Sequence, residues 1–270
     1  MAGFDWEDVA SVAGGPTVAM GIRIKNEKKL KRLQNETKEA LEYVDRVCNT
    51  LENAIEELGK QRLETGAGIL RDIYFLYTMI KEPALSDILS TKKKEAAVFD
   101  DKLKKIEVIT QRASNDIKNH SKDIRLSWGL DGKSVTTFIM SETINGPDRN
   151  NWSVKDIVLG KGRFKNLAWE NLNIKPISMK RSLKEQLEIA ESDLLEAEKI
   201  QKGVAEQEAN VQKIEEGVKK LISLIKDEEH FLIGEKEKMT ELLKAHLNWK
   251  EFSVQEKEAI GYIVYHLLRL

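Results

Sequence analysis

From Leu30 onward the apolar residues return in alternating steps of three and four, and the positions between them are Lys, Glu, Asn, Asp and Arg. One series is Leu30, Val44, Leu51 and Leu58, with Thr37 filling the gap; the other is Leu33, Ala40, Val47 and Ala54. This heptad spacing, kept for about four repeats, predicts a long helix with a single apolar seam. After Gly59 the seam re-phases to Leu63, Leu70, Ile73 or Tyr74, Tyr77 and Ile80, which implies a stutter, a bend or a turn there. Unbroken from Asn26 to Pro83, the helix would measure roughly 85 Å at about 1.5 Å per residue. Pro83 closes the segment, because its ring cannot continue a helical ladder and pushes the preceding residue out of the helical region.

A second helix fits Ala96 to about Lys122, with Val98, Leu103, Ile106, Ile109, Ala113 and Ile117 on one stripe. Between Ile124 and Pro176 helix formers thin out, and glycine, asparagine and tryptophan gather. "RLSW" and "KSVTTFIM" are rich in β-preferring residues and flank "GLDG", so a hairpin is predicted. Helical spacing resumes at Ser182, which forms a capping-box pair with Glu185. Leu183, Leu187, Ala190, Leu194, Ala197, Val204 and Val211 form the next seam, interrupted by Gln201 and Glu208. Ser253 and Glu256 open a last helix with Ile260, Ile263, Val264 and Leu267 on its stripe.

The pattern predicts a mainly α, elongated antiparallel helical bundle or coiled coil with a small α+β head inserted between helical arms. The divisions are an N-terminal arm over 1–25, long helices over 26–123, the head with its hairpin over 124–177, and C-terminal helices over 178–270 that pack on the N-terminal ones. In the arm, Gly14, Gly15 and Pro16 predict a flexible turn.

Composition refines this reading in a few places. A charged fraction of 33% suits long helices that expose most of their circumference, and a net charge of -1 gives no general attraction to nucleic acid. The single cysteine, Cys48, excludes an internal disulfide and fits a reducing, cytoplasmic location. The acidic start "MAGFDWEDVA" lacks the positive charge of a secretory signal, and no run reaches the roughly 18 apolar residues of a membrane span. Charge is locally concentrated, however, in Arg23, Lys25, Lys28, Lys29, Lys31 and Arg32, opposed only by Glu27 between Ile22 and Leu33.

Catalytic chemistry was sought and not found. Gly132, Lys133 and Ser134 match the end of a phosphate-binding loop, but position 127 is serine and the following "VTTFIM" is a strand former, so the anion-binding helix start is missing. His120, His230, His246 and His266 form no metal-ligand pair, and His230 follows "DEE", which reads as a solvated charge run. No enzyme activity, cofactor or metal is expected.

Two stretches carry a resemblance: "EALEYVDRVCNTLENAIEELGKQRLETGAGILRDIYFLYTMIKEP", and "MKRSLKEQLEIAESDLLEAEKIQKGV" leading to "FSVQEKEAIGYIVYHLLRL". They resemble a loose group of bacterial helical proteins described as chemotaxis-like or coiled-coil, which implies bacterial origin and a non-enzymatic role. The order of helices, head and helices is also similar in layout to α-helical pore-forming toxins.

The function expected is a non-catalytic interaction or assembly scaffold acting through coiled-coil packing, with itself or another helical protein as partner and no nucleic acid. Leu30, Leu33, Val44, Val47, Leu51 and Leu58 are the candidate packing or pairing residues. The alternative is a soluble membrane-active protein of the α-helical pore-forming type, peripheral to the membrane. Its candidate contacts to an anionic surface are Arg23, Lys25, Lys28, Lys29 and Arg32. Trp128, Trp152 and Trp169 are candidates for a recognition surface on the head.

Overall fold

Both serine-led helices begin where their spacing predicts. The Ser182 Oγ accepts the Glu185 N–H at 3.3 Å and the Glu185 carboxylate accepts the Ser182 N–H at 3.2 Å; Ser253 and Glu256 form the same reciprocal box. Each box satisfies two N–H groups that the first helical turn leaves without partners.

The computed structural model describes residues 15–83, 93–119, 121–130 and 182–268, with side chains from 20 in the first of these stretches and from 102 in the second. Its helices are α1 (Gly15–Thr65), continued through a π-helical segment (Gly66–Leu70) into α2 (Arg71–Thr78), then α3 (Lys93–Asp116), α4 (Lys122–Leu130), α5 (Leu183–Ala245) and α6 (Val254–Leu267). The chain divides into two units, Met1–Leu51 with Glu142–Gln212, and Glu52–Ser141 with Lys213–Leu270. Both α1 and α5 contribute to each.

In the first unit α1 and α5 pack side by side. Leu30, Thr37, Ala40, Val44, Cys48 and Leu51 are buried on α1, and Ala190, Ala197, Ile200, Val204 and Val211 on α5. Leu33 and Val47 are only half-buried, because the second row of the α1 seam passes through Cys48 instead. Lys29 pairs with Glu191 at 2.6 Å, and the Tyr43 hydroxyl donates to Glu208 at 2.9 Å. Residue numbers thus rise together on both helices, and the pair is parallel. The second unit repeats the pattern, with Gln61 donating to Glu229 and Lys236 to Asp72. The antiparallel arrangement predicted for the N- and C-terminal arms is therefore corrected. The antiparallel neighbour of the first segment in the second unit is α3, where Ala113 lies opposite Gly66 and Glu107 opposite Tyr74.

The head requires a second correction. "RLSW", predicted as a strand, lies inside α4. The Ser121 Oγ accepts the Ile124 N–H at the helix start, and Ile124 and Trp128, one turn apart, join a small core with Leu63, Ala67, Ala113 and Ile117. Strand preference is a weak prior, and burial of these two side chains outweighs it. No strand occurs among the described residues; the one β-type pairing there is an isolated parallel bridge between Lys81 and Asn248. Among the described residues the fold is thus mainly α, with no α+β head. "KSVTTFIM" and Gly132, Lys133 and Ser134 lie outside the described residues.

Of the stutter, bend or turn expected after Gly59, a turn between two helices is ruled out, since α1 runs through Gly59, and the irregularity comes seven residues later in the π segment, where Gly68 has non-helical φ −99° and ψ −110°. Gly59 serves a different purpose: a Cβ there would meet the carbonyl oxygen of Arg125 and, at 2.6 Å, the N–H nitrogen of Gly129. A Cβ on Gly129 would in turn strike the Ile55 carbonyl. The two glycines let the backbones of α1 and α4 touch. Arg62 fastens the crossing by donating to the carbonyls of Trp128 and Gly129 at 3.2 and 3.3 Å, where α4 ends and lacks helical donors.

Other boundaries shift modestly. Of the flexible turn expected at Gly14 to Pro16, Gly15 and Pro16 instead lie in the first turn of α1, where the fixed φ of proline suits a helix start, and Gly14 lies outside the described residues. On α3 the buried stripe is Leu103, Ile106, Thr110 and Ala113, with Ile109 exposed. The α6 stripe of Ile260, Ile263, Val264 and Leu267 is buried as predicted, in a core with Ile69, Leu70, Ile73, Tyr77, Leu232 and Met239.

The crossing yields a contrast in stability. Gly59→Ala should cost about 1–3 kcal/mol despite its better helix propensity, because the added methyl meets backbone rather than a side chain able to move. Gly234→Ala, in open space on α5, should gain about 0.5–1 kcal/mol. Urea unfolding of the two variants measures both.

Candidate functional site

The sequence "DEEHF", Asp227–Phe231, reads as a solvated charge run, yet its two glutamates form the polar junction of the second unit. The Glu228 carboxylate accepts a hydrogen bond from His266 Nδ1 on α6 at 2.6 Å, and both side chains are only 12% exposed. A carboxylate acceptor fixes this nitrogen as the protonated one, whatever the charge of the ring. On the other side Glu229 accepts from Gln61 Nε2 at 2.7 Å and from Thr65 Oγ1 at 3.3 Å, and Gln61 also reaches Thr65 at 3.2 Å. Gln61 and Thr65 are buried, one turn before the π segment. Consecutive residues of α5 thus hold α6 with one carboxylate and α1 with the next.

Aromatic rings close over the His266 pair. Phe231 lies tilted at 4.1 Å between centroids, and Tyr262 and Tyr265 stand edge-on at 4.6 and 5.4 Å. Phe231 and Tyr262 also meet edge to face at 5.4 Å. Yet Tyr262 and Tyr265 remain 56% and 51% exposed, on the side of α6 opposite its buried stripe, and Leu224 is 54% exposed one turn before Glu228. The result is an aromatic surface whose underside is fixed by the part-buried Glu228–His266 hydrogen bond.

Two residues beyond the π segment, Asp72 receives hydrogen bonds from Lys236 at 2.7 Å and Arg71 at 3.1 Å. Partial burial pushes its carboxyl upward, but the bonds and charges of Lys236 and Arg71 outweigh it and hold the pKa below the usual value.

In the first unit, a groove of about 450 Å³ runs between α1 and α5, with Ala40, Tyr43 and Leu194 along it and Glu36, Glu39, Glu42 and Glu198 at its rim. Burial and the neighbouring Glu208 carboxylate raise the Tyr43 hydroxyl pKa. Gln201 and Glu208, the polar interruptions of the α5 seam, are accounted for here: one lines the groove and the other accepts the Tyr43 hydrogen bond.

No family model, curated protein or solved structure matches the chain.

The residues singled out from sequence fall as follows. Leu30, Val44, Leu51 and Leu58 are buried within the chain, and Leu33 and Val47 half-buried. Arg23, Lys25, Lys28, Lys29 and Arg32 are exposed on α1, where Arg23, Lys29 and Arg32 pair with Glu27, Glu191 and Glu36. Trp128 is no recognition surface: it is buried, donates from Nε1 to Asp116 at 2.8 Å, and carries the Arg112 guanidinium 4.6 Å above its ring. Trp152 and Trp169 lie outside the described residues. Among the described residues no group of His, Cys, Asp and Glu is placed to hold a metal ion, and no helix is long and apolar enough to cross a membrane. The aromatic surface and the Glu228–Glu229 junction were missed from sequence. The available signal was an aromatic residue, Phe231, on the long α5 and a histidine, His266, on the short α6, but only folding shows that they meet.

Two measurements test the junction. Glu228→Leu should cost about 1–3 kcal/mol, because it leaves the part-buried imidazole N–H without its acceptor, and adding His266→Leu should recover most of that loss. For Asp72 the folded pKa lies below the ordinary one, so its stabilisation is present above the ordinary carboxyl value and is lost as pH falls through the folded value. Both partners are partly exposed, so Asp72→Asn should cost less than about 1 kcal/mol at neutral pH. In acid, below the carboxylate range, variant and parent should unfold at equal urea concentration.

Proposed function

We propose that this chain is a non-catalytic helical assembly protein that associates with a second copy of itself through the aromatic face of α5 and α6. The observation that carries the reading is the exposure of Tyr262 and Tyr265 above a part-buried Glu228–His266 pair. Tyrosines are rigid and amphipathic, lose little side-chain entropy on contact, and supply much of the energy of protein interfaces. Here the part-buried pair immobilises the rings before any partner arrives, which lowers the ordering cost of association.

Helix-seam packing, in this reading, is internal: Leu30, Val44 and Leu51 are buried in the first unit and Leu58 in the second, and the aromatic face joins one copy to the next. Cys48, buried as a thiol in the α1 seam, fits a reducing compartment such as the cytoplasm.

Light scattering across a concentration range is the decisive measurement. The parent chain should show a mass above that of one copy, rising with concentration, while a Tyr262→Ala/Tyr265→Ala double variant with an unchanged helical circular dichroism spectrum should stay monomeric. A parent that is monomeric throughout, or a variant that associates as the parent does, refutes the reading.

A further inference from the structure

We infer that the first turns of α1 are a peripheral attachment site for an anionic lipid surface, distinct from the aromatic face of α5 and α6. The helix sorts its residues by side. Ile22, Asn26 and Leu30, each four residues apart, form its covered side, half-buried at Ile22 and Asn26 and buried at Leu30. Met20 and Ile24, also four apart, lie on the outward side and are 65% and 45% exposed. With about 100° between successive helical residues, Lys28 and Lys31 share that outward side, and Lys25 and Arg32 flank it.

Charge is sorted along the helix as well. Between Ile22 and Leu33 six basic residues face one acidic residue, a local +5, in a chain whose net charge is -1. Arg23, Lys29 and Arg32 have carboxylate partners; Lys25, Lys28 and Lys31 have none among the described residues. Apart from Glu27, which pairs with Arg23, the next acidic side chains of the same helix follow later, at Glu36, Glu39, Glu42 and Asp45. The exposed apolar pair is therefore placed at the basic end.

Lysines around an exposed apolar pair on one helical side are what an interfacial helix needs: the ammonium groups meet lipid phosphates and carboxylates while the apolar side chains enter the boundary with the acyl chains. A nucleic acid would use the lysines but has no use for Met20 and Ile24, and an aromatic side chain for base stacking is absent between Met20 and Leu33. The attachment is peripheral, since no helix among the described residues can span a bilayer.

The full chain should float with vesicles containing phosphatidylserine at low salt, release at high salt, and stay behind with vesicles of phosphatidylcholine alone. Each basic residue neutralised should weaken partitioning about fivefold, so Lys25→Gln/Lys28→Gln/Lys31→Gln should lose roughly a hundredfold. Met20→Ser/Ile24→Ser should also weaken flotation while leaving its salt dependence intact. Circular dichroism of both variants should match the parent. Equal flotation with the two vesicle types, no flotation at low salt, or unchanged flotation of the lysine variant overturns the inference. Binding of duplex DNA at low salt in place of vesicles would reassign the site to nucleic acid. Tyr262→Ala/Tyr265→Ala should float as the parent does, which separates this outcome from that of the assembly reading.

Discussion

Two neighbouring carboxylates set the register of the second unit. Glu228 and Glu229 point to different sides of α5, one bonded to His266 on α6 and the other to Gln61 and Thr65 on α1. Apolar stripes alone permit a helix to slide by a turn at modest cost, because one leucine replaces another. A part-buried carboxylate resists such a slip, since displacement would leave it without its donors where water replaces them only in part. The surrounding apolar core of Leu232, Met239, Ile260 and Ile263 supplies most of the driving force, while the polar pairs select one alignment among those the core would accept.

The π segment fits beside that polar layer for a related reason. It follows Thr65 directly, and the helix beyond it presents Ile69, Leu70 and Ile73 to the main core. A π turn accommodates an extra residue and rotates everything after it, so the seam that faces α5 along α1 can be re-aimed toward α3 and α6 without ending the helix. The re-phasing of apolar positions after Gly59 is the trace of this rotation in the sequence. Its location was not legible, because Gly59 draws attention as the breaker while its real task is to admit α4.

What could be read from sequence was whatever depends on neighbours along the chain. The boxes at Ser182 and Ser253 and the stripe of Ile260, Ile263, Val264 and Leu267 are local and appear as expected. The errors concern relations between distant segments. Arg125–Trp128 looked like a strand because its propensities are ambiguous, and the contacts of Trp128 with Leu63 and Ala113 that decide the matter lie far away in sequence. The direction of α5 relative to α1 depends on how many times the chain reverses between them, which no periodicity records. The aromatic surface was hidden for the same reason: Phe231 and His266 meet only once α6 folds back on α5.

Parallel pairing has a consequence for how the protein is made. Lys29 and its partner Glu191 are 162 residues apart, and a parallel partner cannot arrive by a short turn. At roughly 5–20 residues per second, a ribosome needs on the order of 8–30 s to deliver α5 after the start of α1 has been synthesised. Throughout that interval the α1 surface destined for α5 must be held by other means, by provisional contacts within the nascent chain or by a chaperone. Birth on the ribosome is therefore the period when this helix is most exposed to misassociation with its neighbours on the same messenger.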